Sequence, residues 1–140
     1  MIDQTLSSES VPLPAPHFIT IAHVVYGLHA LSVIMGVSKA AFIVTAFLSG
    51  WPSILAVVIS YLKRGEVKGT FLESHFRWQI GTFWWSLLWM LIWAIFAIPL
   101  YLSMVGIPLI WAMGMVLGVW VIYRIARGWL ALFSHESLPA

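Results

Sequence analysis

Long apolar runs alternate with brief polar interruptions along this chain. Phe18 to Ser38 is 21 residues without a charge. Lys39 interrupts, and Ala40 to Leu62 is a second uncharged run of 23 residues. A charged stretch follows from Lys63 to Arg77. Trp78 to Tyr123 then holds 46 residues with no formal charge. A helix that crosses a bilayer needs about 20 apolar residues, so the first two runs predict one span each and the third predicts two. Pro99, Gly106 and Pro108 cluster where the turn between the last two spans must fall.

The pattern predicts an all-α polytopic membrane protein, four transmembrane helices in a compact bundle. The spans cover about 18–38, 40–62, 78–99 and 105–126, within a membrane domain of 18–132. Pro12, Pro14 and Pro16 alternate, and prolines this dense block a helix. Residues 1–17 therefore predict a mobile tail, and 133–140 a short C-terminal tail. Pro52 lies in the middle of the second run and predicts a kink or break there. Lys39 sits either in a turn or inside a longer, tilted first helix.

The charged stretch carries a helix start. Thr70 and Glu73 have the spacing of a capping box, in which each side chain serves the other's backbone N–H. Glu73 and Arg77 then stand at i and i+4, the favourable order for an ion pair. The segment reads as a short interfacial helix before the third span, or as a capped, solvated loop. Gly65 and Gly69 upstream suit a turn.

Composition agrees with the pattern. Hydrophobic residues make up 61% of the 140 and charged residues 9%, against about 25% charged in soluble domains. So few charges could not cover the apolar surface, which requires lipid. Six of the seven basic residues fall on one side of the four-span arrangement and Lys39 alone on the other. The positive-inside rule makes the richer side cytoplasmic, together with both termini. The net charge of +2 is thus explained by topology, and no nucleic-acid partner is expected. There are no cysteines, which removes disulfides, thiolate metal sites and a cysteine nucleophile. Asp3 and Glu9 without Lys or Arg in the first ten residues do not make a secretory signal.

Candidate chemistry is sparse. His17, His23, His29 and His75 are the plausible haem ligands. His23 and His29 are six apart and do not share a helical face, and the competing reading is a neutral histidine bonded to a backbone carbonyl. No metal site or catalytic group is predicted, no cofactor is assigned, and no Asp or Glu falls inside a span. Thr45, Ser49, Ser53, Ser60, Gln79, Thr82 and Ser86 are the polar side chains available to a pore. Gly114 and Gly118 form a G-x-x-x-G, which lets a helix approach closely, within the bundle or in a dimer. Trp85, Trp89 and Trp93 make a stripe at i+4 that suits packing and lipid contact. Arg77 with His75, and Lys63 with Arg64, are placed to touch anionic headgroups.

A further set of residues carries a likeness. Ala22-His23 opens the first span, and the proline-containing second span ends on Lys63, Arg64 and Glu66. Phe71, Glu73-x-His75 and Gln79-Ile80 then lead into the third span. Gly106-Ile107-Pro108-Leu109 and the Arg124–Gly128 segment follow. From about Ile19 to Leu132 this resembles an uncharacterised family of small bacterial membrane proteins, similar to the four-helix chloroplast inner-envelope protein-import component. The resemblance implies a four-helix protein of the bacterial inner membrane and no known activity.

The expectation is a non-enzymatic accessory or scaffold subunit of the inner membrane. Its partners are the lipid bilayer and either further copies of itself or a larger membrane complex. The alternatives are an oligomeric pore or translocation element, and a haem-binding electron-transfer subunit.

Overall fold

The computed structural model describes residues 12–38, 50–103 and 106–139. They hold four helices: α1 (Pro16–Ser38), α2 (Trp51–Lys63), α3 (Phe71–Tyr101) and α4 (Gly106–Phe133). α1, α3 and α4 are each long and apolar enough to cross a membrane. α2 has 13 residues, so at 1.5 Å per residue it is about 20 Å long and does not reach across the ~30 Å hydrocarbon core by itself. Lys39, Thr45, Ser49, the first part of the expected second span and the tail before Pro12 lie outside the described residues.

The surface is inside-out relative to a water-soluble protein. Leu62, Ile98 and Val116 are each 71% exposed, and Trp84, Trp85 and Trp89 are about half exposed. His29, Ser32, Ser53, Ser60, His75, Gln79, Thr82 and Ser86 are buried. Such an apolar exterior is stable only in lipid. Lipid also removes most of the hydrophobic drive for helices to associate, leaving packing and interhelical hydrogen bonds to hold them.

α1 packs against α2, α3 and α4, and α3 forms an antiparallel hairpin with α4. The core lies where α1 and α3 begin and α4 ends. It is built from Ala22, Val25 and Tyr26, from Phe71, Leu72 and Phe76, and from Val121, Ile125 and Leu132. Among the described residues, α3 buries nothing beyond Ser86.

Several local expectations are corrected. The first helix starts at Pro16 rather than after His17. A proline in the first turn needs no N–H and arrives with helical φ already set. At Pro52 the expected interruption takes the form of a break: Pro52 stands in the first turn of α2, after Gly50 in extended conformation, and starts that helix. There is no separate interfacial helix before the third span. Residues 71–77 are the first two turns of the 31-residue α3, because Phe71, Leu72, His75 and Phe76 all face the core.

The capping box forms only in part. Thr70 is the N-cap residue, but its hydroxyl donates to the Val67 carbonyl (2.7 Å). The Glu73 carboxylate accepts from the Gly69 N–H (2.9 Å), one residue further back than the motif requires. Gly69 has φ +77, a left-handed turn that brings its N–H round to the carboxylate. Glu73 consequently makes no ion pair with Arg77. Lys63 and Glu66, 2.8 Å apart, are the ion pair found among the described residues.

The C-terminal end is not a free tail. α4 runs past Arg124 and Arg127 to Phe133. It closes with a Schellman motif, in which Glu136 N–H donates to Ala131 O and His135 N–H to Leu132 O. His135 occupies the left-handed position at φ 55, where glycine is usual. The motif folds the chain back onto the start of α3. There the Leu138 N–H donates to the Ser74 hydroxyl (3.0 Å), and Leu138 is buried.

Candidate functional site

α3 carries one polar stripe on an otherwise apolar helix. His75, Gln79, Thr82 and Ser86 follow one another by four, three and four residues, which puts all four on a single face. That face points inward, and each member is buried.

His75 sits at the top of the stripe. Its Nε2 lies 2.8 Å from the Glu136 carbonyl and its Nδ1 lies 3.1 Å from the Tyr26 hydroxyl. A carbonyl only accepts, so Nε2 carries the proton and Nδ1 accepts from Tyr26. Both nitrogens of His75 are therefore engaged. Tyr26 reaches this position by crossing α4 at Gly128. A Cβ on Gly128 would meet the Tyr26 hydroxyl and would stand 2.8 Å from the ring. Trp129 stacks on Tyr26 with ring centroids 6.4 Å apart, and its indole N–H donates to His23 Nδ1 (3.1 Å).

Lower down, α1 and α2 are joined by polar contacts. His29 Nδ1 is 3.0 Å from the Ser53 hydroxyl. The Ser53 N–H also points at the Ser32 hydroxyl (3.0 Å). The Gly50 N-cap has no side chain to satisfy the first N–H groups of α2, and Ser32 on the neighbouring helix supplies an acceptor instead. Ser60 links α2 to α3, with its hydroxyl 2.9 Å from Ala56 O and 3.2 Å from Gln79 Oε1.

The hairpin of α3 and α4 is closed by Arg124. Its guanidinium lies 3.7 Å over the Trp78 ring, and its Nε donates to the Thr82 hydroxyl (2.9 Å). The Thr82 hydroxyl in turn donates to the Trp78 carbonyl (2.7 Å), and the Trp78 indole N–H donates to the Arg124 carbonyl (3.1 Å). No carboxylate lies within ion-pair distance of Arg124 among the described residues. A half-buried cation–π contact of this kind contributes about 1 kcal/mol.

The sequence candidates are thus dispersed. His23, His29 and His75 each contact a different partner on a different helix, and His17 is exposed beside Phe18. No group of three metal-binding side chains occurs among the described residues. Thr70 and Glu73 act in the turn, Arg77 is exposed on the outer face of α3, and Gln79 belongs to the inner stripe. Gly118 is buried and Gly114 half-buried within the α4 packing. Reading the sequence residue by residue missed Tyr26, Ser32, Arg124 and Gly128 as partners in these interhelical contacts. The spacing of His75, Gln79, Thr82 and Ser86 was the available signal.

Comparison with protein-family models, with curated proteins and with solved structures finds no match for this chain.

Proposed function

We propose that this chain is a four-span protein of the bacterial inner membrane and a non-enzymatic accessory or scaffold subunit. One observation carries the reading: among the described residues, the buried hydroxyl groups of the spans are spent on bonds within the bundle. Ser53, Ser60, Gln79 and Thr82 bond across helices, and Ser86 bonds within its own helix. The outward surface is left to apolar and aromatic groups, among them Trp84, Trp85 and Trp89 on α3. A bundle cross-linked inside and apolar outside suits a rigid body that presents a face to a membrane partner. Histidines whose nitrogens serve helix packing weigh against a haem site. Basic residues gathered at one end of the helices favour both termini on the cytoplasmic side. The likeness to the uncharacterised family of small bacterial membrane proteins points to the same four-span arrangement.

The test is affinity purification from native membranes in mild detergent, followed by mass spectrometry of what is retained. A stoichiometric partner supports the accessory role. A homo-oligomer without partners, together with ion flux in reconstituted vesicles, would replace it with the pore reading.

A further inference from the structure

We infer that the cleft between the end of α2 and the start of α3 binds the phosphate of an anionic phospholipid. Arg64 follows the last residue of α2, Lys68 stands in the turn, and Arg77 lies on the second turn of α3. These three line a cavity of about 430 Å³ with Glu73, Tyr61 and Ile80. Three cations share the cleft with one carboxylate, and Glu73 is already held by the Gly69 N–H. None of the three cations has a carboxylate within ion-pair distance among the described residues. Like charges gathered in one small cleft repel one another, and an anion seated among them relieves the repulsion.

A topology signal alone does not require this arrangement. It asks for basic residues on one side of the membrane, in any position. Lys63 meets that requirement while outside the cleft, with its charge paired to Glu66 at 2.8 Å. Arg64, Lys68 and Arg77 instead converge on one volume.

The walls identify the occupant as a lipid rather than a soluble phosphate. The cleft is also lined by Ile80 and by Tyr61, whose ring lies 4.9 Å from the Arg64 guanidinium, and by Leu62, which is 71% exposed. The Trp84 indole N–H donates to the Tyr61 hydroxyl (2.8 Å), an aromatic pair of the kind that marks the headgroup boundary. Cationic groups beside an apolar wall match a phosphodiester whose acyl chains continue along the bundle. A free phosphate would leave that wall unused.

The experiment is native mass spectrometry of the full chain in non-ionic detergent, titrated with phosphatidylglycerol or with phosphatidylcholine. Phosphatidylglycerol should be retained at least about tenfold more tightly. K68Q and R77Q should each weaken its retention about fivefold, and K63Q should leave it unchanged. K68Q alters an exposed turn residue, so its result stands even if R77Q disturbs α3. Equal retention of the two lipids would overturn the assignment. So would a loss in K63Q as large as that in K68Q, because the effect would then follow total charge. Displacement of phosphatidylglycerol by glycerol 3-phosphate at equal concentration would make the cleft a soluble-phosphate site and overturn the lipid.

Discussion

The Tyr26 hydroxyl donates to Nδ1 of His75 across 3.1 Å, between residues 49 apart in the chain. The contact exists because Gly128 leaves room for the tyrosine ring on α4. Three helices and the C-terminal segment therefore meet at one hydrogen-bonded pair.

Gly128→Ala should destabilise the protein by about 1–3 kcal/mol, the usual result of forcing a methyl into filled space. Gly27→Ala is the control. Its added Cβ meets nothing within 4 Å, and removing a helix-interior glycine should be neutral or stabilising by up to about 1 kcal/mol. Thermal unfolding in detergent separates the two, and equal melting temperatures would remove the close-approach argument.

Tyr26→Phe deletes one hydroxyl and leaves Nδ1 of His75 buried without a donor. The expected loss is about 1–3 kcal/mol, the cost of an unsatisfied buried acceptor. Combined with His75→Leu, which removes the acceptor as well, the losses should be less than additive. A strictly additive double-mutant cycle would show that the two side chains do not interact.

The segment 134–139 should be protected from carboxypeptidase in the native protein. His75→Leu removes the donor to the Glu136 carbonyl, and Ser74→Ala removes the acceptor for the Leu138 N–H. Each variant should speed trimming of the last residues, and the pair more than either. Unchanged trimming rates in both would argue that the segment does not dock.

Arg124→Lys keeps the charge but loses the planar group over Trp78 and the Nε–H to Thr82. It should cost about 1–2 kcal/mol. Thr82→Val should cost less in the Arg124→Lys background than in the native one. A lysine variant as stable as the native protein would show that position 124 needs only a cation.

The proposed topology is open to labelling because the chain has no cysteine. Single cysteines at positions 39 and 68 should react with impermeant reagents from opposite sides of the membrane. Reaction from one side alone would overturn the four-span arrangement.

The helical character and the membrane setting were legible in the sequence, since uncharged runs of span length leave few other solutions. The end of α3 near Pro99 and the start of α4 at Gly106 could be read the same way. A Cβ at Gly106 would collide with the Leu100 backbone, so the turn itself requires the glycine. The charged stretch was read less well. Thr70, Glu73 and Arg77 have spacings that favour a box and an ion pair, but the Thr70 N–H is bonded to the Val67 carbonyl and Glu73 accepts from Gly69 instead.

What the sequence by itself determined is therefore the hydrophobic pattern, which depends on residues near one another in the chain. The tertiary structure decided which polar groups meet. His75 with Tyr26, Arg124 with Trp78 and Thr82, and Ser32 with the first turn of α2 are all long-range pairs. No local spacing specifies them, because each depends on how the helices rotate and cross. That rotation is set by many small packing contacts at once, among them the space that Gly128 leaves open for Tyr26. The C-terminal fold-back is decided in the same way. A histidine at a left-handed position gives a weak local signal, and it is the bond from His75 to the Glu136 carbonyl that fixes the segment in place.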